Sequence, residues 1–257
     1  MLANPSSHRY GWLPDHPDHR DRPFLPRVKS RGLLPPRVDW TPAMPPVYDQ
    51  GQLGSCTANA LCAAHEFLKR SPIHAAVPAP SRLFLYYNER ECIGTVNEDS
   101  GAMIRDGVKS MLIDGLCPET LWPYDPSAFS VRPSDACYQI AAANELLEYR
   151  RVDNSSLPDL LEALTVAPVV GGFTVYSSFE SATVAKTGIV PMPGRNDSAQ
   201  GGHAILVVGY DQPANQFIVR NSWGARWGKG GYFRIPFEYF TNPNLSDDFW
   251  LLTQTTS

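Results

Sequence analysis

QGQLGSCTANALCAAHEFLKR, residues 50–70, is the stretch on which the reading of this chain turns. Helical patterning begins abruptly at Ser55-Cys56: Cys56, Asn59 or Ala60, Ala63 and Phe67 trace one face, and Ser71-Pro72 stops the helix. A cysteine in the first turn sits where unpaired N–H groups and the helix dipole favour a negative charge, which lowers a thiol pKa. Gly51 and Gly54 let the backbone turn tightly just before it and let another chain approach. The amide of Gln50 and the backbone N–H of Cys56 are two donors that can receive a developing oxyanion.

Outward from this helix, residues 80–90 (PSRLFLYYNER) and 101–112 (GAMIRDGVKSML) carry apolar positions three and four apart, so the first half is expected to be mainly helical. One more short helix is expected around residues 157–164, followed by strand-like PVVGGFTVY, HAILVVGY, QFIVRNSW and GYFRIP. Helices first and strands second predict an α+β protein with two segregated halves.

Two of the strand-like runs, starting at His203 and ending near Arg220, flank the turn residues 211–215. An antiparallel hairpin folded near position 212 brings His203 opposite Asn221, within a register slip of one or two residues. An imidazole beside a thiol, with an amide fixing its tautomer, is the arrangement a cysteine nucleophile needs. Trp223 and Trp227, just after Asn221, are placed to roof that hydrogen bond against water.

Residues 50–56, Gly202-His203-Ala204 and Asn221-Ser222-Trp223-Gly224, in this order, resemble the signature of the papain-like cysteine peptidases. The likeness extends over residues 34–250, since Pro36-Arg37-Val38-Asp39-Trp40 is similar to the start of a mature papain-like enzyme. It implies two subdomains: a helical half of about residues 50–150 and a β-rich, barrel-like half of about residues 151–250 completed by N-terminal residues, with the substrate groove between them. It implies a cysteine endopeptidase with Cys56 as nucleophile, His203 as base, Asn221 as orienter and Gln50 in the oxyanion hole. By the same likeness Asp99-Ser100-Gly101 holds an extended substrate by its backbone, while Met103, Gly172 and Ala204 border an apolar, open second pocket and Trp223 also meets substrate. Endopeptidase action is expected because no His-His insertion blocks one end of the groove. Peptide or protein substrates, cystatin-type inhibitors and a monomer are the implied partners and state, with no metal or organic cofactor. Two alternatives stay open: an amide or isopeptide hydrolase or transferase on the same site, and an inactive relative that only binds peptides.

The sequence also departs from the family. Leu53 stands where a disulfide-forming cysteine is usual and Thr57 where an aromatic residue is usual, so at least one standard disulfide must be missing. The five cysteines, an odd number without CxxC spacing, are expected to be mostly free thiols. Residues 1–33, within a stretch of 46 residues holding ten of the 24 prolines, form an extended leader too short for the usual helical prodomain. It either drapes over the cleft and restrains access or straps the surface without controlling activity. His8, His16 and His19 are too irregular for a metal site, and the NxS/T tripeptides at Asn154, Asn196 and Asn244 are read as incidental.

Composition narrows the partners. With 43% hydrophobic and 19% charged residues and a net charge of -4, the chain has neither a basic patch for nucleic acid nor an apolar run of membrane-spanning length. No secretory signal is visible, which points to a cytoplasmic or non-classically exported protein.

Overall fold

In the computed structural model, residues 9–26, 34–70 and 78–256 are described; His8 and leader residues 27–33 lie outside them. The first helix, α1 (Cys56–Lys69), starts at the cysteine, as its pattern predicts. It is followed by α2 (Arg82–Ile93), entered through a Ser81 hydroxyl that accepts from Phe84 N at 3.1 Å and closed by Gly94 at φ 72. Next come α3 (Ile104–Ile113) and a short α4 (Asp135–Ala141). Lacking their own strong period, α4 and the later short helices α6 (Ala182–Thr187) and α7 (Phe237–Thr241) escaped the sequence reading, whereas α5 (Leu157–Val166) did not.

One antiparallel sheet organises the rest. Strands β2 (Leu146–Val152), β3 (Val169–Tyr176), β4 (Ala199–Asp211), β5 (Gln216–Arg220), β6 (Tyr232–Pro236) and β7 (Ser246–Thr255) are ordered β2-β7-β3-β4-β5-β6. A short strand from the other end of the chain, β1 (Arg37–Asp39), pairs with the far end of β4, Arg37 opposite Asp211. Helices first and one antiparallel sheet after them make this the α+β arrangement that the sequence predicts. No helix among the described residues is long and apolar enough to cross a membrane.

The β4–β5 hairpin forms with a shifted register. Leu206 pairs with Arg220 and, beyond a bulge at Val208, Asp211 pairs with Gln216. The fold centre therefore moves by about one position, which shifts the partner of Leu206 by two, inside the expected slip, and Asn221 lies just past the last paired residue rather than opposite His203. The bulge adds one residue to β4 and bends it, which no pattern of side-chain types announces.

Two cores flank the sheet. One joins α1, α2 and α3 to a sheet face through Leu61, Phe84, Tyr86, Val170, Leu206 and Trp250. The other is aromatic and centres on Phe173, whose ring meets Phe179 at 5.3 Å, Tyr239 and Phe240 at 5.8 Å and the His203 ring at 5.9 Å.

Two arginines then fix the loop that precedes α1. Arg220 donates to the carbonyls of Pro45 at 2.5 Å and Pro46 at 2.6 Å, and Arg82 donates to Asp49 O and Asn59 Oδ1, both at 3.1 Å, while pairing with Glu119. Asn154, the first NxS/T asparagine, is buried and donates to Phe240 O at 2.8 Å, so its amide is structural. Phe173→Ala is expected to lower stability by about 3–5 kcal/mol, as large buried aromatics do when truncated. Urea unfolding checks this, and a change under about 1 kcal/mol would mean that the aromatic core is not held together through Phe173.

Candidate active site

The thiol of Cys56 is fully buried where the first turn of α1 meets β4. Its Sγ accepts the backbone N–H of Ala204 at 3.4 Å, which brings the sulfur beside the residue that follows His203. The amides of Gly11 and Thr57 also point at the sulfur and favour the thiolate, but burial outweighs them and pushes the thiol up to about 11. Thr57, the departure from the usual aromatic, donates its hydroxyl to Glu89 at 2.7 Å, and Leu53 is simply buried. All five cysteines are free.

His203 lies on β4, its Nε2 at 2.8 Å from Asn221 Oδ1. The backbone N–H of Ser222 donates to the same oxygen at 2.8 Å, which identifies that atom as the acceptor. The ring must therefore donate through Nε2, so Nδ1 is the nitrogen that Asn221 does not engage. Trp223 stacks on the imidazole at 4.9 Å and 29°, and Trp227 abuts Trp223 edge-on at 5.1 Å. Trp223 alone covers the ring, and Trp227 backs Trp223.

Gln50 is fully buried and oriented from both ends. Its Oε1 accepts the Ser222 hydroxyl at 2.6 Å, and its backbone N–H donates to Ser222 O at 2.9 Å. The Nε2 group donates to Leu53 O at 2.9 Å and to Arg9 O at 3.2 Å. The second acceptor belongs to the leader.

Leader residues cross the cleft. Arg9 pairs with Asp99 at 2.7 Å, the same carboxylate that holds Gly54 N and the Tyr86 hydroxyl. Tyr10 lays its ring 6.1 Å from His203 and 6.2 Å from Trp223 and donates its hydroxyl to Glu180 at 2.5 Å. Gly11 passes so close to Gly54 that a Cβ would lie 1.7 Å from the Gly54 carbonyl oxygen. Trp12 donates its backbone N–H to Gly202 O at 2.9 Å, and its indole fills the space left by the absent side chains of Gly172 and Gly202. Ala102 completes the grip, donating to Gly11 O at 2.8 Å and accepting from Leu13 N at 3.0 Å.

The residues expected to bind substrate lie around the leader as follows. Ala102, rather than Ser100 or Gly101, uses its backbone to hold the leader. Gly101 contributes by having no side chain, since a Cβ there would lie 2.2 Å from Gly11 O, and the Ser100 hydroxyl turns to Thr95 and Gly101 O. Met103 directly follows Ala102 at the head of α3, and Ala204 is buried at the sulfur. The space over Gly172 and Gly202 is filled by Trp12, whose indole N–H donates to the buried carboxylate of Asp248 at 3.1 Å.

A profile described as papain family cysteine protease matches residues 34–244. The chain belongs to the papain family. Xylellain, a cysteine protease from Xylella fastidiosa of known structure, superposes with a TM-score of 0.87 at 45% identity, covering 95% of this chain and 96% of that one. A peptidase C1-like protein of Acanthamoeba polyphaga mimivirus is 37% identical across the whole of this chain and 90% of its own length. A probable cysteine protease of Arabidopsis thaliana, RD21C, is 27% identical over 79% of this chain, which spans 43% of that protein. This member of the papain family is thus a cysteine peptidase.

Four residues of the occupied cleft were missed from sequence: Tyr10, Trp12, Glu180 and Asp248. Two aromatics around a glycine in the leader were the available signal for the first two; nothing local marks the carboxylates. The leader is further clamped by a cluster of charges. Asp15 accepts from Arg105 N at 3.1 Å and Trp250 Nε1 at 3.0 Å, and its own N–H donates to Asp248 Oδ2 at 2.7 Å. Arg105 pairs with Asp21 at 2.6 Å and also donates to the His16 carbonyl. Arg151 reaches Asp21 at 3.1 Å, Asp247 at 3.0 Å and Asp248 at 2.8 Å. On the outer side Lys109 lies 3.9 Å from Asp18, which is bound by Arg20, while Asp106 of α3 is raised by burial.

Four aspartates thus surround two arginines. Burial, and then the charge of Asp248, pushes Asp15 up to about 7, and burial raises Asp248 as well. A carboxyl whose pKa is higher when docked than the usual ~4 takes up a proton on docking. Leader docking is expected to be firmest in mild acid and to weaken as pH rises through about 7. Hydrogen exchange at the amides of Trp12 and Leu13, corrected for intrinsic rates, should show protection falling from about pH 5.5 to about pH 8 and a flatter profile in Asp15→Asn. Protection that grows with pH would exclude this mechanism.

Proposed function

We propose that this chain is a cysteine endopeptidase in its latent state, with Cys56, His203, Asn221 and Gln50 as its catalytic groups and residues 9–13 as a plug. Once the Cys56 proton has passed to the His203 ring, the thiolate attacks the peptide carbonyl, while Gln50 Nε2 and the Cys56 N–H receive the oxyanion. His203 protonates the leaving amine and then activates the water that hydrolyses the thioester, held by Asn221 and covered by Trp223. One observation carries the reading: a peptide backbone already lies in the cleft, its Arg9 carbonyl on Gln50 Nε2 and its Gly11 amide toward the sulfur. What faces the thiol is an N–H, so the bound segment offers it a hydrogen bond and not an electrophile.

The leader restrains the enzyme in two ways on this reading. It occupies the groove, and it removes water from the thiol, which disfavours the reactive thiolate. The pocket that takes Trp12 suits a large amphipathic side chain, with Asp248 accepting from its polar end. A cut confined to one non-standard linkage in a mixed peptide library would instead favour the specialised amide hydrolase.

Trp12→Ala in the full-length chain is expected to raise cleavage of a fluorogenic peptide at least roughly tenfold, because the plug loses its main apolar anchor. Cys56→Ala in that background should abolish both turnover and stoichiometric labelling by the epoxide E-64. Gln50→Ala should cost on the order of 100-fold in kcat. Unchanged turnover in Trp12→Ala would remove the plug, and persistent activity in Cys56→Ala would remove the nucleophile.

A further inference from the structure

The leader ends one of its side chains on a carboxylate that the mechanism does not use. Tyr10 donates to Glu180 Oε1 at 2.5 Å, and burial together with this bond raises the tyrosine pKa. Glu180 lies in the turn between β3 and α6, closed by Glu180 N to Ser177 O at 3.2 Å. The turn is anchored by its neighbour Phe179, which is buried, stacks on Trp227 at 5.5 Å and meets Trp223 edge-on at 5.6 Å. The carboxylate is therefore presented from a fixed support. Among the described residues no arginine, lysine or histidine forms an ion pair with it.

The side of the cleft it faces follows from the chemistry. His203 must reach the amine that departs, so the leaving-group side runs along His203 and the tryptophan stacked on it. Tyr10 lies there, edge-on to His203 and tilted against Trp223, over Gly201, where a Cβ would meet the tyrosine ring atoms at 2.9 Å. Trp12 lies on the other side, over Gly172.

We infer that Glu180 determines specificity on the leaving-group side, selecting substrates whose first residue after the cut bond ends in a hydrogen-bond donor or a positive charge. Tyrosine, arginine and lysine fit the place that Tyr10 holds, because each can donate to the carboxylate across an aromatic floor. Aspartate and glutamate are rejected by like charge, and phenylalanine fills the space but leaves the carboxylate without its partner. This rests on the peptidase reading above.

The test uses the full-length Trp12→Ala protein and a series of internally quenched peptides that differ only in the residue after the cut: tyrosine, phenylalanine, arginine or glutamate. The expected kcat/KM ratio is roughly tenfold for arginine over glutamate and several-fold for tyrosine over phenylalanine. Adding Glu180→Gln should bring the arginine-to-glutamate ratio near one, and Glu180→Lys should invert it. Ratios within one enzyme sample are insensitive to any fraction that fails to fold. Equal rates across the series, or ratios unmoved by both substitutions, would overturn the inference alone. E-64 labelling of Cys56 without cleavage of any peptide would overturn the peptidase reading and this inference together.

Discussion

The close packing of the first turn of α1 against β4 is the constraint on which the other features depend. Sulfur and the Ala204 amide can approach to 3.4 Å only because the surfaces that meet there are small: Ala60 and Ala63 on the helix face Ala204 on the strand, around a narrow cleft that also touches Asn221 and Ser222. The same strand carries His203, so one packing contact sets the thiol beside the imidazole's own backbone. Asn221 and Gln50 then join through Ser222, whose N–H fixes one amide and whose hydroxyl fixes the other. A displacement of β4 relative to α1 would part Cys56 from His203.

The cleft holds the chain's own leader through backbone bonds and close approach. Missing side chains do much of this: Gly101, Gly172 and Gly202 leave room for a backbone and an indole, and Gly11 is the only residue type that passes Gly54 at that distance. The clamp of Asp15, Asp21, Arg105 and Arg151 adds directional bonds beyond the cleft, where they do not compete with its chemistry. Prolines on either side of residues 9–13 keep the leader extended before it binds, which limits the entropy lost on docking.

The elements that carry the site were legible because each has a local cause. A cysteine opening an apolar helix, a histidine opening a β-branched run and an asparagine closing another are visible without any fold. The paired register was not, because the bulge at Val208 depends on how β4 bends beneath β1 and β5. Strand β7 was missed because it opens on Ser246-Asp247-Asp248, with Asp248 at φ 61, a start that no strand propensity favours. That unusual conformation lets Asp248 face Trp12, Asp15 and Arg151 together, so the residue hardest to read is set by contacts across the whole chain. The leader's place in the cleft was one of two open readings for a similar reason: its sequence lacks any period, and its position follows from gaps in its partner.

The departure at Thr57 has a structural consequence that reaches the thiol. With a small hydroxyl in place of an aromatic ring, the space behind the first turn of α1 is taken by Glu89, which is fully buried, accepts from Thr57 and lies so near α3 that a Cβ at Gly107 would come within 2.4 Å of its Oε1. An ionised carboxylate there would oppose a thiolate at Cys56 across a medium of low dielectric. Burial counters this by raising the Glu89 pKa well above the ordinary carboxyl range, which favours the neutral acid. Glu89 therefore accepts a hydrogen bond from the helix that carries the sulfur, and Thr57, Glu89 and Gly107 form one packed unit.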